Sequence, residues 1–407
     1  MNKLDVLYEG WGEALHLGTL AEHQGQVAFE YSKEALQRAL ELSPYRYPLR
    51  AEAYTKRSAD RPRTPGFIDD ALPDGWGLLL MDRTLQRAGY DSPALTDLDR
   101  LAIVGDDAFG ALRFRPSREL APIYRDIELL DVARASRQVQ EDKDTELLPL
   151  LCKHGSPHGA RPKASVWRMP DGRLTTAVTE GAEPCLVKFP AMNERREVCA
   201  IEQVYAELAR LAGIEMMPSW YVDLSAIKGS AFVVSRFDRA AGLRVPVQTF
   251  AAWLDVNFRE AQLAYEQLLV LTRMSTNSRE EVDKMFLRCV FNVAMHNRDD
   301  HLKNFSLRMS RDGAWRLSPA YDLTYSEGIG GEHTSPVMGK GRNIARADLL
   351  GLAKKTGIRP KAATAAIDQV LDAAGQWDSL AAAYPILKTT RSRIGSVIRA
   401  HAAKLLG

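Results

Sequence analysis

The sequence predicts an α+β protein with a β-rich N-terminal subdomain, a mixed middle lobe and a mainly helical C-terminal lobe. Three observations carry this. Short alternating runs lie between glycines at the start, apolar strands flank one amphipathic helix in the middle, and Ala-rich runs with helical spacing follow Phe250. At 407 residues the chain exceeds one hydrophobic core, since domains hold about 100–200 residues each. The expected divisions are 1–120, 121–247 and 248–407.

Composition narrows the class before any motif is read. Hydrophobic residues at 45% and charged residues at 26% exclude a disordered chain. A net charge of +2 gives no general attraction to nucleic acid or membrane. Cys152, Cys185, Cys199 and Cys289 are scattered without a C-x-x-C pair, which reads as buried free thiols rather than a disulfide frame or a zinc site. The start, MNKLDVLYEG, has no basic segment followed by an apolar run, and no stretch has the length of a membrane span. The expectation is a cytoplasmic protein with no membrane partner.

In chain order, the first segment, LDVLYEGWGEALHLGTLAEHQGQVAFEYS, alternates as half-buried antiparallel strands do. LPDGWGLLLMDR (72–83) and VGDDAFGALRFRP (104–116) complete this region, with Trp76 expected to be buried against the first sheet. PSRELAP (116–122) reads as the exit linker. Helices are expected over 126–140 and 145–153, then a turn-rich loop in HGSPHGARPKASVWRM and strands at LTTAVTE and PCLVKFP. The run 193–214 keeps Val198, Ile201, Val204, Tyr205, Leu208 and Leu211 on one helix face and ends at Gly213. Strands at WYVDLS and SAFVVSRFD precede the helical remainder. His16, His23, His333 and His401 have no partner by spacing and read as surface or structural.

One stretch breaks the apolar pattern of that remainder: HNRDDHLKN, 296–304, lies between FLRCVFNVAM and FSLRM. The following NFSLRM and AWRLSPAYD alternate around the turn SRDG, so a hairpin returns Asp322 to the polar loop. Phosphoryl transfer from ATP needs one Asp to orient the acceptor hydroxyl and take its proton. It also needs an Asn five residues later and a separate Asp to hold Mg²⁺. Asp299, Asn304 and Asp322 supply the three, with the kinase spacing R-D-x4-N from Arg298.

Such a reaction also requires a lysine on a strand and a glutamate on a nearby helix. Lys188 of CLVKFP stands on an apolar strand, where its burial is costly without a partner. Glu202 or Glu197 can be that partner; a lysine snorkelling at a sheet edge is the plain alternative. Gly155 and Gly159 ahead of Lys163 form a loop whose N–H groups can approach phosphate.

GARPKA (159–164), LVKFP, SRFDR (235–239), NRDDHLKN and SPAYDLTYS (318–326), with LPDGWG and VGDDAFGALRF before them, occur in the order found in the HipA family. The sequence resembles these bacterial serine/threonine kinases, toxins of toxin–antitoxin pairs, over nearly its whole length. The resemblance implies a bilobal kinase-like fold, ATP and Mg²⁺. It implies Asp299 as catalytic base, with His301 and Lys303 in support, Asn304 and Asp322 as Mg²⁺ ligands, and Lys188 on the ATP phosphates. Gly159, Ala160 and Lys163 would line the phosphate loop, Glu202 or Glu197 would hold Lys188, and Arg236 with Phe237 would meet adenine. Ser156 would be a self-phosphorylation site. The implied partners are a HipB-like helix-turn-helix antitoxin, DNA through that antitoxin, and a protein substrate such as an aminoacyl-tRNA synthetase.

Two other classes compete. A metal-dependent hydrolase would use His296, Asp299, Asp300 and His301 as ligands, which leaves Lys188 and GARPKA unexplained. A catalytically idle scaffold would only bind a DNA-binding partner as co-repressor.

Overall fold

The computed structural model describes residues 1–57, 63–118, 126–153, 159–178 and 180–407. Two compact units divide the chain. One comprises Met1–Glu194, Leu224–Gly229 and Val233–Asn257, the other Arg195–Asp223, Ser230–Phe232 and Phe258–Gly407.

The first unit opens with an antiparallel sheet of order β4-β3-β2-β1-β5, from β1 (Lys3–Gly10), β2 (Glu13–His23), β3 (Gln26–Tyr31), β4 (Tyr54–Lys56) and β5 (Leu112–Arg115). The period-2 pattern turns Leu4, Val6 and Tyr8 inward on β1 and Val27, Phe29 and Tyr31 on β3. Trp11-Gly12 and Gln24-Gly25 close the two hairpins with positive φ at both positions, the backbone that matches strand twist in a two-residue turn.

A second sheet begins with β6 (Lys163–Arg168), which pairs antiparallel with β7 (Leu174–Thr175) and β8 (Glu183–Lys188). Residues from Val233 onward run beside β8: Ser235 Oγ donates to Glu183 at 2.5 Å and Arg236 N to Pro184 O at 2.9 Å. The strand expected at LTTAVTE stops after Thr175, because Thr176 exchanges hydrogen bonds with Ile127, its N donating to Ile127 O and its Oγ1 accepting from Ile127 N.

The second unit is mainly helical. Helix Glu197–Leu211 ends where expected, Gly213 adopting φ +72 while Ile214 N bonds back to Ala209 O. Leu211, expected on its apolar face, is exposed instead. Helices Tyr265–Thr276, Arg279–Ala294, Arg346–Thr356, Pro360–Ala374, Trp377–Ala382 and Lys388–Leu406 pack into the core. Between them lies the hairpin of Ser306–Met309 and Trp315–Leu317. Its second strand is shorter than AWRLSPAYD suggests, because Ala320 leaves the hairpin to pair with the 215–216 backbone.

Tyr205 is fully buried edge-on to Phe291 and Trp377, and its hydroxyl donates to Met295 O at 2.6 Å. That bond holds the chain where the polar loop begins. Tyr205→Phe strips the carbonyl of its buried donor and is expected to cost about 1–2 kcal/mol of stability, read as a lower urea midpoint with unchanged slope.

Candidate active site

The loop after helix Arg279–Ala294 is held from inside by a chain of buried hydrogen bonds. Asn297 Nδ2 donates to Asn292 Oδ1, Asn292 Nδ2 to the Tyr265 hydroxyl, and Tyr265 to Asp300 Oδ2, each at 2.9 Å. Burial and the Asp300 carboxylate push the Tyr265 phenol well above its ordinary range, so it stays a donor. His333 Nδ1 meets the same carboxylate oxygen at 2.8 Å, and Ser335 N donates to the other at 3.1 Å. Ser335 Oγ closes on Asp300 O at 2.7 Å. Asp300 is 1% exposed, whereas the side chain of its neighbour Asp299 is 56% exposed.

Around Asp299 the loop folds back on itself. Asn304 Nδ2 donates to Asp299 O at 2.5 Å, which commits the amide N–H₂ to the loop and points the amide oxygen elsewhere. His301 Nδ1 accepts from Lys303 N at 3.2 Å, so its proton belongs on Nε2, 3.7 Å from Asp299 Oδ1. Phe258 carries both neighbours: the His301 ring at 5.1 Å and the Lys303 ammonium at 4.8 Å. Asp322 reaches the same loop because Tyr321 OH donates to Lys303 O at 2.7 Å and Ser326 N to His296 O at 3.0 Å. Its φ of +54 lies in the left-handed region, which aspartate enters more readily than most residues. The side-chain oxygens of Asn304 and Asp322 are the hard donors that Mg²⁺ takes, so these residues fit that ion.

The histidines are otherwise engaged. His296 Nδ1 meets His401 Nε2 at 2.8 Å, and its Nε2 meets Glu327 at 3.0 Å. Burial and the His296 neighbour push His401 down to about 4, and burial lowers His296. His333 and His401, expected to lack partners, are thus buried and paired; their partners lie too far along the chain for spacing to reveal. With His296 on His401 and Asp300 on Tyr265, the hydrolase ligand set is dispersed. Among the described residues no group of three or more His, Cys, Asp or Glu side chains could hold a metal.

In the first unit, Lys163 on β6 stands directly opposite Lys188 on β8, and both are buried, at 4% and 6% exposure. Two ammonium groups directed to one sheet face suit an anion with several oxygens, such as a polyphosphate. Gly159, at φ +114, lies against Lys163: a Cβ there would stand 2.5 Å from the ammonium. The glycine is held by LPDGWG. Asp74 Oδ1 accepts from Gly159 N at 2.6 Å, Trp76 N donates to Gly159 O at 3.0 Å, and the Trp76 indole donates to Lys163 O at 3.0 Å. Trp76 is buried, as expected, but anchors this loop, where the sequence suggested the first sheet. Asp74 is a site residue that sequence reasoning missed; its one signal was the P-D-G turn. Ala160 is exposed, and Ser156 lies outside the described residues.

Arg236 forms a bidentate pair with Asp238 at 2.8 Å and donates to Ser165 Oγ on β6 at 2.9 Å. Phe237 packs edge-on to Phe109 at 5.5 Å. In the second unit Glu202 is buried, whereas Glu197 accepts from Leu387 N and Thr390 Oγ1 at 2.9 and 2.7 Å, capping helix Lys388–Leu406.

Residues 4–115 match the HipA N-terminal domain and residues 155–377 the HipA-like C-terminal domain. Two Sinorhizobium fredii proteins that carry kinase names are similar to the chain. Y4mE is 27% identical over 348 residues, 77% of this chain and 76% of its own length. Y4dM is 28% identical over 213 residues, 49% of this chain and 50% of its own length. Among solved structures, HipA of the Shewanella oneidensis MR-1 toxin–antitoxin system, crystallised with HipB and operator DNA, aligns with a TM-score of 0.72 at 18% identity. That alignment covers 98% of this chain and 97% of the other, so the two share a fold.

Asp238 offers a test of the charge arrangement. It is fully buried; burial alone would raise its pKa, but the Arg236 and Arg239 guanidiniums outweigh that and hold the carboxyl down at about 2. A depressed carboxyl stabilises the fold above its unfolded pKa of about 4 and loses that contribution as pH falls toward 2. Asp238→Asn is expected to cost about 3 kcal/mol or more at pH 7, since it leaves two guanidiniums unpaired. Its deficit against the parent should shrink between pH 4 and pH 2 in denaturant titrations; a deficit constant with pH contradicts the pairing.

Proposed function

The chain belongs to the HipA family, and from that premise we propose that it is an ATP- and Mg²⁺-dependent protein serine/threonine kinase, the toxin of a toxin–antitoxin pair. The observation that carries this reading is the split of the Asp299-Asp300 pair. Asp300 is turned inward and saturated with donors, while Asp299 is turned out beside Asn304 and the Asp322 segment.

In this reading Asp299 accepts the proton of a serine or threonine hydroxyl as that oxygen attacks the γ-phosphorus of ATP and ADP departs. Bound Mg²⁺ supplies charge neutralisation on the phosphates. Asn304 and Asp322 hold that ion through oxygen. His301 and Lys303 keep Asp299 and the loop in position against Phe258. Lys188, with Glu202 as its helix partner, and Lys163 with Gly159 and Ala160, hold the phosphates, and the Arg236-Phe237 backbone meets the adenine. Because the guanidinium of Arg236 is committed to Asp238 and Ser165, its part in binding is to stiffen that strand. No covalent enzyme intermediate is needed; positioning and charge do the catalysis.

Family membership supports the choice of partners. A HipB-like antitoxin would bind this protein and bring it to operator DNA; the Shewanella HipA was solved in complex with HipB and its operator DNA. The acceptor would be a protein serine, an aminoacyl-tRNA synthetase being one candidate, with Ser156 as a self-acceptor. Among the described residues no helix is long and apolar enough to cross a membrane.

Two substitutions test the assignment. Asp299→Ala should lower phosphate transfer by about 100-fold or more and leave ATP affinity near that of the parent, because its side chain faces outward; undiminished phosphosites by mass spectrometry would refute it. Asp322→Ala should erase the gain in ATP affinity that Mg²⁺ gives the parent in calorimetric titrations. A parent whose ATP affinity is the same in Mg²⁺ and in chelator contradicts the metal role.

A further inference from the structure

Beyond the catalytic loop, the segment EGIGGEH (327–333) has a feature that the phosphoryl-transfer chemistry does not use. Ile329 is 91% exposed, the most exposed large apolar side chain among the described residues; the next, Val178 and Leu406, are at 71%. Lone surface hydrophobes are common, so its placement must decide its meaning. Gly328, Gly330 and Gly331 all adopt positive φ around it. At Gly328 a Cβ would meet Glu332 O at 2.2 Å and Arg298 Cβ at 2.7 Å, so the backbone there lies hard against the residue that precedes Asp299. Arg298 Nη1 then donates to Gly331 O at 2.7 Å and clamps the far side of the turn.

That contact bounds the reach. One peptide step is about 3.8 Å, so Ile329 and Asp299 have their Cα atoms at most about 13 Å apart. An extended peptide advances about 3.4 Å per residue. The Asp299 side chain, the hydrogen bond and the acceptor's side chain add about 9 Å, so Ile329 lies within about seven residues of the acceptor of a polypeptide bound at Asp299. The charges beside the turn are already matched: Glu327 with His296 and Arg393, Glu332 with Arg342. What the turn presents to a partner is one apolar side chain in a neutralised surround.

We propose that Ile329 is a specificity-determining contact, receiving an apolar side chain of the protein substrate within about seven residues of the phosphorylated serine or threonine. This rests on the kinase reading above. Its test is phosphosite mapping with the full chain, ATP and Mg²⁺ on a randomised serine/threonine peptide library, for the parent and Ile329→Asp. The parent should enrich an apolar residue within that window. Ile329→Asp should lose the enrichment and raise KM for the best apolar peptide about tenfold, with kcat and the KM for ATP unchanged. Parent labelling without apolar enrichment, or enrichment retained in Ile329→Asp, overturns the proposal and leaves the kinase reading intact. A parent that phosphorylates neither the library nor itself overturns both.

Discussion

The buried carboxylate of Asp300 is the constraint on which the 296–304 segment depends. Removing a charge from water is expensive unless donors surround it, and here Tyr265, His333 and the Ser335 backbone supply them. The donors come from two places: Tyr265 opens helix Tyr265–Thr276, while His333 and Ser335 lie beyond the hairpin. One side chain thereby joins three stretches of chain. Asp300 is thus fixed inward, while the side chain of Asp299 beside it stays exposed. An outward carboxylate on a rigid loop is the geometry general-base chemistry asks for.

The first unit poses the opposite electrostatic problem and solves it on strands. Lys163 and Lys188 are brought level by the β6–β8 register, so two cations share one sheet face, while Gly159, at the end of the loop ahead of them, is tied down by Asp74 and Trp76. The phosphate-binding reading of that loop therefore leans on the N-terminal part of the chain as much as on the glycine itself. Asp238 plays the role in this unit that Asp300 plays in the other: a buried carboxylate, here paired with Arg236 and Arg239, which also accepts from Gly110 N at 2.9 Å.

What could be read in the sequence follows from contact range. Helix Glu197–Leu211 and its stop at Gly213 depend on neighbours three and four residues apart, and the hairpin turns on adjacent residues; both were legible. The loop residues 296–304 stood out because charge interrupted an apolar run. Trp76 bonds to a carbonyl 87 positions away, His296 to a ring 105 away and His333 to a carboxylate 33 away, and no local pattern marks such pairs. Strand ends failed for the same reason: Thr176 and Ala320 leave their expected partners for backbone that is distant in sequence. Glu197 was a fair candidate partner for Lys188 by helix position, yet tertiary packing assigned it to cap helix Lys388–Leu406.

The central claim is that Asn304 and Asp322 form the metal-binding edge of a catalytic loop whose base is Asp299. The most direct test is to grow crystals with Mn²⁺ and a non-hydrolysable ATP analogue and to locate the metal by its anomalous scattering. The account requires the peak to lie within coordination distance of an Asn304 and an Asp322 oxygen. A peak on His296, Asp300 or His301, or an ordered nucleotide with no metal near Asp322, would contradict it.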